Sequence, residues 1–379
     1  MKKSVLLFGP IGDFGGRDVE VNIISKSLVN EFDVKIFSSI YITAQSYAVL
    51  DLKRPNFTSF QIELNKRFFF LKITSYLFWL KNFTKKKKTY AFTKNKISKL
   101  FFNFNKHKLE ILKNEVNEAD VIIVCSQLSS KFLKEIIHFS KLLNKPCFVR
   151  TTGTIKVFEK NNFDFLKNVT KFIHHSESNA SNLNTILNLP YVVIDQCALD
   201  DLKLLELPIS FQKVLRFGFL GRLSKEKGIL ELIDYFSKQN NYKLTVAGKG
   251  NLMKIIIGKK NIEYLGQIEP KLLADFFDKI DVLIISSYEE SGPLVGLEAM
   301  AAGKIIISTE VGAMKDRLFQ TQNDFWFKID NVNELNSIIG HLNTLDLNSI
   351  AKENREKYIR EYKFEAIQQK YLHLIKNFC

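Results

Sequence analysis

Short apolar runs recur along the chain, and most are followed by a turn and then by a stretch with helical periodicity. In the first half, the apolar runs cover 4–8, 33–37, 121–124, 147–150 and 191–194. In the second half, they cover 216–220, 243–247, 262–265, 281–285, 304–308 and 324–329. Amphipathic stretches cover 18–30, 129–143, 228–238, 270–279, 294–302 and 334–342. We therefore predict strands that alternate with helices along most of the chain.

The apolar runs lack the alternation of half-exposed strands, which indicates strands buried on both faces. Such strands, alternating with helices, predict parallel sheets in doubly wound α/β layers. A connector over 198–214 separates two halves of this kind, so we expect an N-terminal domain over 1–205 and a second domain over 206–357. The last segment, 358–379, has a long helical pattern that we expect to cross back onto the first domain.

Length and composition narrow the class of protein. The chain has 379 residues, 46% of them hydrophobic and 25% charged, which suits two globular domains and excludes wholesale disorder. Its four cysteines form no close pair, which excludes a disulfide scaffold and a zinc site of the CxxC type. The histidines show no metal spacing, and no apolar run approaches the ~20 residues that span a bilayer. The apolar part of the first residues is too short for a secretion signal.

The net charge of +15 belongs to one segment. Residues 64–109 contain thirteen Lys and Arg and no Asp or Glu, whereas the rest of the chain carries 42 basic and 40 acidic groups. Aromatic residues are interleaved with these lysines, and 67–80 has the pattern of one amphipathic or apolar helix. This favours peripheral contact with an anionic membrane surface. The alternatives are a solvated lysine face over a phenylalanine core and single-stranded nucleic-acid binding.

Candidate chemistry lies just after the strands, where ligands bind in open parallel sheets. A glycine turn with Gly12, Gly15 and Gly16 follows the first strand, but it is not GxGxxG. Because glycine lets a backbone approach a ligand closely, this turn is a candidate binding element. Arg150 and Thr152 follow a later strand of the same half.

The second half has stronger candidates. Arg222 and Lys227 lie between a strand and a helix start, where fixed cations and the helix dipole suit a diphosphate. Glu290 lies in a loop and Glu298 in the helix that follows, so one carboxylate can meet a sugar and the other can accept hydrogen bonds from two vicinal hydroxyls. Gly292 and the Leu294 and Val295 amides would point into the same cleft, and Pro293 suits a helix start.

Three ordered stretches within 216–315 resemble the retaining glycosyltransferases of family 4. They read GFLGRLSKEKG, then LTVAGKG with IEYLGQIE, then DVLIISSYEESGPLVGLEAMAAGKIIISTEVGA. The last contains the family's two glutamates separated by seven residues. The resemblance implies the GT-B fold, in which two Rossmann-like domains face each other across a cleft.

The resemblance also implies roles for these residues. Arg222 and Lys227 would hold the diphosphate of a nucleotide-sugar, linked to UDP or GDP, without a metal or other cofactor. Glu298 would hold the ribose, and Glu290 would contact the sugar near its reacting carbon. The remaining implied donor contacts are phosphate binding by the Leu294 and Val295 amides, base contact by Gln267 and Ile268, and closure over the donor by Gly12, Gly15 and Gly16.

The function implied is transfer of a sugar, with retention, to a glycan acceptor that is lipid-linked, in bacterial surface polysaccharide or lipopolysaccharide synthesis. The family often has His-Gly where this chain has Thr152-Gly153, so no histidine is assigned on the acceptor side. We expect a cytoplasmic protein at the inner face of the membrane with no nucleic-acid partner. A nucleotide-sugar 2-epimerase and a non-catalytic, membrane-bound scaffold are the competing hypotheses.

Overall fold

The computed structural model of the protein describes residues 2–153 and 163–378. Contacts within the chain divide it into two compact units. The first unit comprises 1–174, 182–192 and 368–379, and the second comprises 175–181 and 193–367.

The first unit is built on a seven-stranded sheet with the order β3-β2-β1-β4-β5-β6-β7. Its strands are β1 Ser4–Gly9, β2 Asp33–Ser38, β3 Phe57–Ser59, β4 Val121–Ser126, β5 Cys147–Thr151, β6 Lys171–His174 and β7 Tyr191–Val193. The pairings from β3 to β6 are parallel, with Val5 opposite both Val34 and Val121. All six residues of β4 are buried, as the absence of alternation in its sequence predicts.

Helices cover the strands of the first unit. They are α1 Gly16–Leu28, α2 Phe60–Arg67, α3 Phe69–Lys81, α4 Lys96–Phe101, α5 Phe104–Glu118 and α6 Leu133–Leu142. Helix α7, Glu177–Leu187, begins in the second unit and ends in the first. The apolar core includes Leu6, Phe8, Phe37, Phe60 and Val149.

The second unit has a five-stranded sheet with the order β10-β9-β8-β11-β12, and all its pairings are parallel. Its strands are β8 Phe217–Leu220, β9 Leu244–Ala247, β10 Ile262–Gly266, β11 Val282–Ile285 and β12 Ile305–Ser308. Its helices are α8 Asp201–Leu205, α9 Ile229–Ser237, α10 Met253–Ile256, α11 Leu273–Asp278, α12 Leu294–Ala301, α13 Met314–Leu318, α14 Val332–Leu342 and α15 Leu347–Glu361. Two parallel α/β units are thus present, which confirms the predicted fold class.

The C-terminal segment returns to the first unit, as expected, but it is not one long helix. Helix α15 ends at Glu361, and α16 spans Phe364–Lys376. The break follows from the amides of Tyr362 and Lys363, which both donate to the Tyr358 carbonyl and close the first helix. From residue 368 onward the chain belongs to the first unit, where Lys376 Nζ lies 2.5 Å from Glu31 Oε2.

Two further expectations differ from the structure. The stretch 67–80 is split between α2 and α3, because the backbone of Phe68 is extended. The Phe68 ring centroid lies 4.7 Å from that of Phe102 and 4.6 Å from that of His107. The stretch 324–329 is not a strand: it makes one bridge, between Trp326 and Ser308. Strands β3 and β6 have no counterpart among the apolar runs, because β3 is only three residues long and β6 begins with a lysine.

The connector belongs to the second unit from residue 193, earlier than the expected boundary at 205. The Tyr358 hydroxyl accepts from the Ala198 amide at 3.1 Å and donates to Asp201 Oδ2 at 3.1 Å. These buried bonds fasten the connector to α15. No helix among residues 2–153 and 163–378 is long and apolar enough to cross a membrane.

Candidate active site

The loops that follow β8 and β11 are joined by backbone contacts, and this fixes the position of Lys227. Ser286 Oγ donates to the Lys227 carbonyl at 2.9 Å, and the Tyr288 amide donates to the Glu226 carbonyl at 2.9 Å. The next residue, Gly228, has φ +62°, and a Cβ there would lie 1.9 Å from the backbone carbonyl oxygen of Ser286. Only glycine allows this close approach.

Lys227 and Glu290 form an ion pair between Nζ and Oε1. Each side chain retains a little under a fifth of its accessible surface, so the pair is partly shielded from water yet reachable by a ligand. Burial and the nearby Arg222 charge lower the pKa of Lys227 to about 8, whereas the Glu226 charge acts in the opposite direction. The contact with Glu290 also favours the charged ammonium. The sequence candidates Lys227 and Glu290 are thus brought into direct contact.

Arg222 lies in the same loop but is largely exposed. Its guanidinium pairs with Glu226 at 3.3 Å. The positive charge of Arg222 contributes to the lowered pKa of Lys227, so the two cations are close enough to interact electrostatically. Two cations of this kind favour a dianionic group such as a diphosphate.

Helix α12 carries Glu298, which is 8% exposed. Burial raises the pKa of Glu298 to about 7, and the Arg317 charge counteracts this. Within the described part of the chain, the Glu298 carboxylate accepts no hydrogen bond from another residue. A carboxylate of this kind can accept hydrogen bonds from two vicinal hydroxyls.

The start of α12 presents backbone donors. Pro293 precedes the helix, and the half-buried Leu294 and Val295 are its first two residues. The first amides of a helix have no partner within it, so they can donate to an anion. Gly292 packs closely here, because a Cβ would lie 3.0 Å from Arg317 Nη2 and 3.1 Å from the His175 ring.

A buried cluster that the sequence did not reveal supports this loop. Arg317 donates to both carboxylate oxygens of Asp195 at 2.7 Å and to the Pro293 carbonyl at 2.6 Å. His175 Nδ1 lies 3.5 Å from Asp195 Oδ1. Burial alone would raise the pKa of Asp195, but Arg317 and His175 hold it well below its usual range. The cluster therefore fixes Pro293, the residue just before α12.

Two more contacts hold the adjoining Ser291. Asn179 Nδ2 donates to the Ser291 carbonyl at 2.9 Å. Gly312, after β12, has φ +53° and packs so that a Cβ would lie 2.3 Å from the same oxygen. The loop from Glu290 to Pro293 is thus anchored on three sides. No sequence signal could have found these residues, because they are far apart in the chain.

Gln267 and Ile268 follow the end of β10. Gln267 is exposed and Ile268 is half-buried. The strand ends are tied together here, because the Gly248 amide donates to the Gly266 carbonyl at 2.8 Å and Tyr264 Oη donates to the Gly248 carbonyl at 2.9 Å. The two candidate base contacts thus lie at the same edge of the sheet as Lys227.

In the first unit, the glycine turn is already engaged by protein groups. The Gly12 amide donates to Asp18 Oδ1 at 2.7 Å, and burial raises the pKa of Asp18. Gly15 adjoins the same carboxylate, and nothing lies within 4 Å of the Cβ direction of Gly16. The turn therefore offers a carboxylate and an open backbone, whereas the cations of the candidate site belong to the second unit.

Arg150 and Thr152 are also held within the first unit. Arg150 is fully buried, and its Nε pairs with Glu20 Oε1. Thr152 Oγ1 accepts from Arg17 Nε at 3.0 Å, and its amide donates to the Ser126 carbonyl at 3.1 Å. The two residues stabilise the end of β5, and acceptor contact by them stays a prediction. Among the described residues, no group of three or more His, Cys, Asp or Glu is placed to hold a metal ion.

Comparisons with known proteins show what the chain is similar to. Residues 209–362 match the family described as glycosyl transferases group 1. An uncharacterized glycosyltransferase of Methanocaldococcus jannaschii is 31% identical over 118 residues, which is 28% of this chain and 30% of that protein. The lipopolysaccharide 1,2-N-acetylglucosaminetransferase of Salmonella typhimurium is 26% identical over 182 residues, 42% of this chain and 47% of that enzyme. These alignments thus span less than half the length of either relative.

A solved structure matches the chain over its whole length. The crystal structure of Anabaena Alr3699/HepE in complex with UDP covers 100% of both chains with a TM-score of 0.68 at 15% identity. The two parallel α/β units and this match define the GT-B fold. Within that fold, residues 209–362 of the second unit are similar to the group 1 glycosyltransferases.

Proposed function

We propose that the protein is a retaining glycosyltransferase that moves a sugar from a nucleotide-sugar to a glycan acceptor. The observation that carries this proposal is the contact of Lys227 with Glu290 beside the start of α12. The contact supports the proposal because a cation that suits a diphosphate and a carboxylate that suits a sugar are neighbours in one loop system. Arg222 adds a second cation, and Glu298 supplies an acceptor for ribose hydroxyls.

The reaction requires charge stabilisation at the leaving group. When the bond between the anomeric carbon and the phosphate oxygen breaks, its electron pair goes to the diphosphate, and positive charge develops on the sugar ring. Lys227, Arg222 and the Leu294 and Val295 amides stabilise the diphosphate. Preorganised charges of this kind supply a large part of catalysis. Because these groups carry the charge, we propose transfer without a metal, tested by unchanged activity in a chelator.

The acceptor hydroxyl oxygen then bonds to the anomeric carbon on the face that the diphosphate leaves, and its proton passes to the departing phosphate oxygen. These reaction steps balance atoms and charge, and they retain the anomeric configuration. Glu290 lies beside Lys227, where it can stabilise the positive ring. Product analysis by NMR tests retention directly, since an inverted anomer would contradict it.

The donor is a UDP- or GDP-sugar. The Anabaena neighbour was solved with UDP, and the Salmonella relative is named for transfer of N-acetylglucosamine in lipopolysaccharide. Gln267 and Ile268 would lie against the base, and the turn with Gly12, Gly15 and Gly16 would approach the donor from the first unit. We propose a role in surface polysaccharide or lipopolysaccharide synthesis.

Donor binding is tested by thermal shift with UDP, GDP and their sugars. A ligand at a hundred times its Kd raises stability by ~2.7 kcal/mol. We expect Lys227→Met to abolish the shift and Lys225→Met, an exposed lysine of the same loop, to leave it unchanged. Equal shifts in both variants would contradict the donor site. A shift without sugar transfer to any acceptor would favour a non-catalytic scaffold instead.

We also propose that the first unit docks on an anionic membrane and receives a lipid-linked acceptor at the cytoplasmic face. Helices α3 and α4 carry large apolar side chains that stay in water, among them Phe69, Leu100 and Phe101, each about three-quarters exposed. Phe83, just after α3, is two-thirds exposed. Since residues 64–109 hold thirteen basic and no acidic groups, apolar insertion and attraction to anionic lipid act together.

Vesicle sedimentation tests this docking. We expect binding to vesicles of phosphatidylglycerol and phosphatidylcholine at low salt and weak binding to phosphatidylcholine alone. The double variant Phe69→Ser/Phe101→Ser should lose most of the binding. Leu142→Ser is the control, because Leu142 is also exposed but lies outside the basic segment. Failure of the protein to bind either vesicle would overturn the docking proposal and leave the donor site untouched.

A further inference from the structure

A cavity lies in the second unit, at the carboxyl ends of β11 and β12. Its volume is about 620 Å³, within the range of sites for small organic ligands. It is lined by Tyr288 after β11, by Glu310 and Val311 after β12, and by Trp326, Lys328 and Asp330. Tyr288 also adjoins the candidate donor site, because its amide donates to the Glu226 carbonyl, but its side chain is not among the proposed donor contacts.

The walls of this cavity are held by hydrogen bonds that leave the cavity itself open. Thr309 Oγ1 donates to the Ser287 carbonyl at 2.7 Å, and the Lys328 amide donates to Glu334 Oε2 at 2.7 Å. Tyr288 Oη donates to Glu231 Oε1 at 2.7 Å. The cavity is therefore shaped by contacts within the protein, which limits the cost of ordering it when a ligand binds.

The polar groups in the lining indicate what the cavity can bind. Within the described residues, the Asp330 carboxylate and the Lys328 ammonium make no ion pair or side-chain hydrogen bond. One is an acceptor and the other a donor, and both line the cavity together with Trp326, whose indole Nε1 donates to Asp324. An aromatic ring beside a free acceptor and a free donor suits a ligand with an apolar face and a hydroxyl-bearing edge.

Charge excludes other ligand classes. The lining carries Glu310, Asp330 and Glu334 against one lysine, Lys328, and Glu310 is paired with Lys315 at 2.7 Å, so the remaining net charge is negative and disfavours phosphate and other anions. The apolar wall formed by Trp326, Val311 and their neighbours disfavours a simple hydrated cation. A neutral pyranose ring would satisfy both conditions, because its hydroxyls could bond to Asp330 and Lys328 while its C–H face packed on the indole.

We propose that this cavity is a glycan subsite that binds a neutral pyranose ring, separate from the site for the nucleotide diphosphate. The inference rests on the proposed function, because a glycosyltransferase needs a place for acceptor sugars as well as for its donor. The cavity wall at Ser287 and Tyr288 continues directly into the segment that carries Glu290. Glu290, the residue proposed to act on the donor sugar, therefore follows the wall of this cavity closely in the sequence.

Trp326 itself supplies the measurement. The chain has two tryptophans, Trp79 and Trp326, so the full-length Trp79→Phe variant reports on the cavity alone. Its fluorescence is titrated with glucose, galactose, N-acetylglucosamine and rhamnose, with glycerol as a control for bulk solvent effects. We expect at least one sugar to give a saturable change and glycerol to give none. Asp330→Asn in the same background should weaken that sugar at least tenfold.

Parallel thermal-shift titration with UDP separates this inference from the proposed function. We expect Asp330→Asn to leave the UDP shift unchanged and Lys227→Met to remove it while sugar binding persists. If UDP binds but none of the four sugars gives a saturable change, the subsite is refuted and the donor site stands. If UDP alone changes Trp326 emission and Lys227→Met abolishes that change, the cavity belongs to the nucleotide and the subsite is again refuted. Sugar binding without UDP binding would refute the donor site instead.

Discussion

Arg317 clasps both carboxylate oxygens of Asp195 at 2.7 Å, although 122 positions separate the two residues in the chain. Both side chains are buried, and the third bond of the guanidinium goes to the carbonyl of Pro293, just before α12. The pair therefore ties the segment just before the connector to the loop that carries the candidate donor contacts. Removal of Arg317 would leave the buried Asp195 carboxylate with the Gln196 amide at 2.8 Å and the longer contact to His175, which do not replace the guanidinium.

Arg317→Met should lower the free energy of unfolding by about 3–5 kcal/mol, since it leaves Asp195 charged and buried. The double variant Arg317→Met/Asp195→Leu should recover much of this loss, because no uncompensated charge remains. Chemical denaturation measures both. As a control, Asp234→Asn breaks the exposed pair with Lys238 and should change stability by less than about 1 kcal/mol. A double variant no more stable than Arg317→Met would contradict the argument.

Glu290→Gln should lower kcat strongly and raise the KM for the donor only slightly. The amide keeps the size of the side chain but removes the charge beside Lys227 and the proposed sugar site. Loss of one preorganised electrostatic group costs about 10²–10³ in kcat. Steady-state kinetics measures the split between kcat and KM. Glu289→Gln, at the exposed neighbouring position, is the matched control and should retain activity.

Glu298→Gln should stabilise the protein near pH 8. The pKa of Glu298 is about 7 in the folded state and near 4.5 when unfolded, so the folded state resists ionisation while the unfolded state does not. Wild-type stability should therefore fall as pH rises from 4.5 to 7, by up to about 3 kcal/mol, and the variant should escape this loss. Denaturation curves at pH 4.5 and pH 8 measure it. A stability difference independent of pH would be the contrary result.

Gly248→Ala should destabilise the second unit by more than about 1 kcal/mol. Gly248 has φ +142°, and a Cβ would lie 1.8 Å from the Gly221 carbonyl oxygen. In contrast, Gly340 lies inside α14 with nothing within 4 Å of its Cβ direction. Gly340→Ala should stabilise by about 0.5–1 kcal/mol through helix propensity. Thermal unfolding of both variants checks this contrast, and equal Tm changes would refute it.

The sheets were largely predictable because their strands are short apolar runs buried on both faces. Strands such as β4 leave this mark in the sequence directly. Lys227 and Glu290 could also be predicted as candidate site residues, because each follows a strand within a recognisable motif. Such features are local, so a single stretch of sequence contains the information.

The rest depends on contacts between distant parts of the chain. The break at Phe68 follows from rings at Phe102 and His107, and no local pattern at residues 67–80 records it. The support of Pro293 by Arg317 and Asp195 is equally non-local. The burial of Arg150 is also non-local, because Glu20, far away in the sequence, compensates its charge.

The return of the chain to the first unit after residue 367 has a consequence for biosynthesis. Domains that are continuous in sequence fold one after another as they leave the ribosome. Here the first unit contains part of α16, so the ribosome must translate the entire second unit before the first can be finished. Nascent chains arrested before α16 should therefore expose an incomplete first unit and need protection by chaperones.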